Sequence, residues 1–306
     1  MKPIAPVSRS RDDRPRSPGG WAFPATVGLA TILSPWPVPS TSPTGGRVAS
    51  APLGSAGARQ APEAVPIRED VATSEPDPIG RARGLIAGCR GRFRGVEDYT
   101  CTFFKRERVD GKLSGQQIMA MKARTRPASL YFQYIRPHAG REAIHVRGKN
   151  GDKIVAHDVG IARFVAGTMH LDPAGGMAMK GNRHPIGDAG IGSLIETVGE
   201  RWDAELCPGE SVVTFHDRAG VGDRACTMVE TIHPGQSEAF LFHKVRLYVD
   251  REVGLPIRFE AYDWPRGPGL EPELVEEYTY RDLRINVGLD DRDFDPGNSR
   301  YSFGRF

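Results

Sequence analysis

The 306 residues hold only four cysteines, Cys89, Cys101, Cys207 and Cys226, and none stands in a CxxC or Cys/His spacing. No structural zinc site is expected from them. HExxH and GxSxG are missing as well, so neither a metalloprotease helix nor a nucleophile elbow is encoded. No apolar run reaches the ~20 residues that a membrane-crossing helix requires. The net charge is only +3, with an excess of base in residues 1–20 and near balance elsewhere. Without a basic face, nucleic acid is not an expected partner. Cys101 alternates with Tyr99 and Phe103 and reads as a small buried apolar residue. Cys207 and Cys226 are left open as a disulfide, because geometry decides that pairing.

What the chain does contain is organised around residues 99–135. TCTFFKRER leads to an Asp110-Gly111 turn, then QQIMAMKAR, a break at Pro127, and SLYFQYI. Short runs of this kind, split by Asp-Gly and proline, are strands joined by tight turns. Large apolar groups fall on both faces, Tyr99, Cys101 and Phe103 on one and Phe104 on the other. A sheet with one wet face would alternate cleanly, so both sides need a cover.

Residues 1–36 read as an export signal, with a basic leader followed by an apolar run of about 13 residues over 21–33. The protein is therefore expected to be exported, to a periplasm or cell envelope, with transient membrane contact at most. Residues 37–78 are rich in Pro, Ser, Gly and Ala, and bury too little to offset their ordering entropy. A single domain is expected over 79–306. Its first helix carries Ile79, Ala82, Ile86, Cys89 and Phe93 on one face. After Ile135, strands recur every ten or so residues through an Asn150-Gly151 turn to a strand over 161–169, the rhythm of an antiparallel meander. Residues 170–190 break that rhythm with five glycines and two prolines and read as a lid-like loop. Asp188 is placed to cap a helix whose stripe is Ile191, Leu194, Ile195, Val198 and Trp202. Strands return from Ser211, and Phe294, Tyr301 and Phe303 are expected to seal an edge or end of the sheet.

The segments at 98–115, 126–157, 182–191, 261–265 and 293–303 resemble the bacterial family called domain of unknown function 1571. At greater distance the order of helix, meander, inserted helix and returning strands is similar to the LolA/LolB-type periplasmic lipoprotein carriers. That likeness implies an α+β fold: a strongly curved antiparallel sheet, an incomplete β-barrel, packed with an N-terminal helix and an inserted helix. It also implies a concave side that takes acyl chains, so a lipid or acylated protein is the expected partner and no cofactor is expected.

On this reading Phe103, Met121, Phe132, Phe242, Tyr262 and Trp264 line a hydrophobic site, Met177 and Met179 close over it, and Arg141 and Arg147 are the candidates for a head group. The plain alternative makes the same residues core. A second possibility is a hydrolytic or metal site from His170, Asp172, His184 and Asp188, whose types suit zinc or a general base but whose spacing does not. A third is an envelope domain that recognises a partner protein through a sheet edge. The Arg141-Glu142 pair and the KRER cluster, Lys105 to Arg108, are read most simply as solvated charge at strand ends, with contact to a ligand head group as the lesser alternative.

Overall fold

The structure, a computed structural model, describes residues 77–159 and 167–303. The leader and all but the last two residues of the tether lie outside them, as does most of the strand expected over 161–169.

Helix α1, Pro78–Phe93, starts with proline at its first position, and the Asp77 carboxylate accepts from the Ile79 N–H at 3.1 Å. It buries Ile79, Ala82, Ile86 and Cys89 of the stripe read from the sequence and leaves Phe93 half-buried. Strand β1, Asp98–Val109, then turns through Asp110 and Gly111, both at positive φ, into β2, Lys112–Leu113. Two consecutive left-handed residues define the turn that suits the twist of a hairpin. Next come β3 (Gln117–Arg124), β4 (Ser129–Arg136), β5 (Glu142–Val146), β6 (Ile154–His157) and β7 (Thr168–Leu171). A four-residue helix α2 (Gly176–Met179) and the long α3 (Ile191–Glu205) follow. The second meander is β8 (Val212–Val221), β9 (Arg224–Ile232), β10 (Lys244–Asp250), β11 (Pro256–Tyr262) and β12 (Leu274–Ile285).

The twelve strands make one antiparallel sheet in the order β7-β6-β5-β4-β3-β1-β12-β11-β10-β9-β8, with β2 paired to β1 alone. Among the described residues the sheet stays open, with β7 and β8 at its edges. This is the expected α+β architecture. Two meanders share one seam, where β1 pairs with β12. Because β7 and β8 lie at opposite edges, the segment between them must cross a face of the sheet. That crossing segment carries α2 and α3, and α1 packs against α3.

The covered face holds the main core, with Tyr99, Cys101, Phe103, Met121, Phe132, Leu247 and Phe259 meeting Ile191, Ile195, Val198 and Trp202. On the opposite face Tyr131, Ile144, Val146 and Val155 are covered by Phe294 and Phe303, and the Tyr301 ring stacks on Tyr131 at 4.2 Å. The closing residues therefore lie on the back of β4–β6 and do not seal an edge. Sheet residues on that side hold them down: Lys122 Nζ reaches Asp293 at 2.6 Å, and Glu142 accepts from the Ser302 N–H at 2.6 Å. All four cysteines are free thiols, with Cys226 buried and Cys207 exposed, so the open pairing is not made.

Candidate functional site

Between the sheet and the crossing segment lies a cavity of about 800 Å³. Its wall on the sheet side is set by strand parity. Phe103 faces inward on β1, opposite Met119 on β3 and Tyr280 on β12, while Phe132 on β4 stands opposite Met121 and Ala143. Ring contacts knit that wall together, Phe103 lying 5.0 Å from Tyr280 and 5.9 Å from Phe132. Leu194 and Val198 of α3, with Met177, Ala178, Ile186 and Ala189 of the crossing segment, supply the other side.

Tyrosines of the sheet fix the start of α3. Gly190, not Asp188, is its N-cap, and no side chain of the crossing segment bonds there. The Tyr99 hydroxyl accepts from the Ile191 N–H at 2.8 Å, and the Tyr280 hydroxyl donates to the Ala189 carbonyl at 2.9 Å. Burial pushes both phenols above their ordinary pKa, so they remain protonated.

One end of the cavity is polar. Glu107 and Glu276 stand opposite each other across β1 and β12, both side chains buried. Glu107 accepts from the Tyr278 hydroxyl at 2.6 Å, the Arg183 N–H at 2.9 Å and Lys105 Nζ at 3.0 Å. Glu276 meets Arg183 Nε at 2.9 Å and His184 Nε2 at 2.8 Å. Lys105 also donates to Asn182 at 2.5 Å. Three consecutive loop residues, 182–184, are thus tied to the sheet. The hydrogen bond to Glu276 raises the His184 pKa, with burial opposing it. Burial, then the two carboxylates, pushes the Tyr278 phenol up, so it remains a donor.

Of the residues marked in the sequence for the hydrophobic site, Phe103, Phe132, Met177 and Arg141 reach this cavity, as do His184 and Asp188 of the alternative site. Met177 is 67% exposed at its rim. Arg141 makes a two-pronged pair with Asp158, 3.0 Å on each side. Burial opposes the Asp158 charge, but those bonds hold its pKa below the usual carboxylate range. Met121 belongs to the packed core, its sulfur 3.7 Å from the Cys101 thiol. Phe242 is also buried in that core, ahead of β10. Tyr262 turns outward, donating to Glu260 at 2.8 Å beneath Lys244. Trp264 lies past the end of β11 beside His243, Met179 is half-buried outside the cavity wall, and Arg147 is exposed beyond β5.

The histidine and aspartates of the alternative site do not converge. His184 is engaged with Glu276, Asp172 closes its own turn by accepting from the Ala174 N–H at 2.9 Å, and His170 and Asp188 are exposed. Among the described residues, no three His, Cys, Asp or Glu side chains are grouped to hold a metal. Arg183, Glu276 and Tyr278 were missed in the sequence, and Lys105 and Glu107 were weighed only as the lesser reading of the KRER cluster. A stronger signal for Lys105 and Glu107 was present, since positions 105 and 107 share the parity of 99, 101 and 103. Their burial corrects the reading of this stretch as solvated charge.

The family described as Protein of unknown function (DUF1571) matches residues 96–303. No curated protein matches in sequence. Among solved structures, lipoprotein LppX of Mycobacterium tuberculosis is similar at 11% identity, over 72% of this chain and 100% of that one, with a TM-score of 0.40. A LolA superfamily protein from Nitrosomonas europaea is similar at 10% identity, over 70% and 97%, with a TM-score of 0.27. The MucA/MucB complex structure of Pseudomonas aeruginosa is similar at 12% identity, over 70% and 60%, with a TM-score of 0.39.

Proposed function

The chain belongs to the DUF1571 family, and from that premise we propose that it is a non-catalytic cell-envelope protein that holds a hydrophobic ligand, a lipid or the acyl chain of a lipoprotein, as carrier or sensor. The observation that carries this reading is the hollow of about 800 Å³ left on the covered face of the sheet. Its volume lies within the range of roughly 300–1,000 Å³ typical of small-molecule sites. Phe103, Met119, Phe132 and Phe259 offer an aromatic and thioether wall. Each methylene buried there contributes ~0.8 kcal/mol, so a long alkyl chain is held without a strong polar anchor. Met177, an adaptable side chain at the cavity rim, is assigned to the lid. The basic leader and short apolar run of residues 1–33 support export.

Mass spectrometry of organic extracts from the purified full chain tests the reading. A long-chain species recovered in proportion to protein, and competing with an environment-sensitive hydrophobic dye, is the expected result. Purified chain that yields no such species and binds no dye would overturn it.

A further inference from the structure

The charged groups inside the cavity are already matched, and that pattern bears on what the cavity accepts. Lys105 is held by Glu107 and Asn182. Glu276 is held by Arg183 and His184. Arg141 is held on both prongs by Asp158. His138, Lys180 and Asp188 stand at the exposed rim.

An anionic head brought into this interior must take Lys105 or Arg141 from its carboxylate. Glu107 is then left buried with only the Tyr278 hydroxyl and the Arg183 N–H, or Asp158 half-buried with only the Val159 N–H, and a carboxylate stripped of its cation in such a site is costly. A cationic head meets the mirror problem, because Glu107 and Glu276 would have to give up Lys105, Arg183 or His184. An ester carbonyl makes no such demand: it brings no net charge, and its flanking chains meet the Phe103, Met119, Phe132 and Phe259 wall. Resting on the lipid-holding reading above, we infer that the ligand portion enclosed by the cavity is an uncharged long-chain acyl ester, with charged lipid heads excluded from the interior. A free glyceride and the acylated end of a lipoprotein share that chemistry.

Four probes test this on the full chain by displacement of the bound dye: dioleoylglycerol, a triacylated cysteine methyl ester with its amine amidated, dioleoyl phosphatidylglycerol, and oleate. At least one of the two uncharged esters is expected to displace the dye at least about tenfold more tightly than either anionic probe. The stronger of the two identifies the source. Equal or tighter displacement by phosphatidylglycerol or oleate overturns the inference while leaving the lipid-holding reading intact. Absence of dye binding altogether removes both. The Asp158→Asn variant, which frees Arg141, is expected to shift the ratio of phosphatidylglycerol to dioleoylglycerol affinity at least about threefold toward the anion. An unchanged ratio shows that ion pairing is not what excludes the head group, and overturns the argument.

Discussion

Glu107 and Glu276 face one another across the β1–β12 seam, two buried carboxylates in direct cross-strand register. Like charges so placed repel, and are tolerated only where cations are built in beside them. Here Lys105 comes from the sheet, and Arg183 and His184 come from the segment that crosses above it. The seam of the sheet and the closure of the cavity are therefore one electrostatic unit.

Removing one member should be costly. Glu107→Ala takes the acceptor from Tyr278, Lys105 and the Arg183 N–H together. A loss of roughly 3–5 kcal/mol is expected, as for a buried pair deprived of one partner. Urea unfolding reads it as a lower midpoint at unchanged slope; an unmoved midpoint contradicts the role given to Glu107.

The His184 contact carries a pH signature. Its folded pKa is raised above the unfolded value of ~6.5. The stabilisation is thus fully present below about pH 6.5 and is lost as pH rises through the folded pKa. Melting temperatures of wild type and His184→Gln should differ most in mildly acidic buffer and converge on the alkaline side. Parallel curves across pH 5.5–9 are the outcome that removes this assignment.

Tyr99→Phe isolates the cap of α3. It keeps the ring in the core but leaves the Ile191 N–H without its acceptor in a buried site. The expected cost is about 1–3 kcal/mol by chemical denaturation. Hydrogen exchange at the first turn of α3 should rise with it, and unaltered protection there would show that the hydroxyl is dispensable.

Gly192 sets how close α1 comes to α3, because a β-carbon there would run into the Phe93 ring. Gly192→Ala is expected to destabilise by roughly 1–3 kcal/mol through overpacking. Phe93→Ala should then cost less in the Gly192→Ala background than in wild type, a coupling that a double-mutant cycle measures. Additive effects would mean that the two residues do not compete for the same space.

Filling the hollow separates cavity from core. Ala143 is half-buried on β5, opposite Phe132, and faces the cavity. Ala143→Phe should weaken dye binding at least about tenfold, equivalent to ~1.4 kcal/mol, with the urea midpoint held. Binding retained at full strength places the dye elsewhere.

Most of the elements were legible in the sequence because their signals are local. The stripes of α1 and α3, the Asp110-Gly111 turn and the alternation in β1, β3 and β4 each depend on a few neighbouring residues. What escaped depends on partners far along the chain. Asp188 is well placed in sequence to cap α3, yet Tyr99 and Tyr280 reach that helix end from the sheet. Tyr262 was assigned to the cavity, but it lies three residues from the inward-facing Phe259, so alternation along β11 puts it on the outer face with Glu260, to which it donates. Glu107 and Glu276 share a site only through a seam joining residues about 170 apart, which no local pattern encodes.

That seam also constrains the order of events during synthesis. Among the described residues β1 is the first strand made; one of its edges pairs with β3, made soon after, and the other with β12, the last. While the ribosome is still elongating, β1 carries an unsatisfied edge, and the two halves have nothing to dock along until residue 285 has emerged. Such long-range pairing slows folding and leaves apolar strands open to misassociation. The nascent chain should therefore depend on a holding chaperone until its final stretch is released.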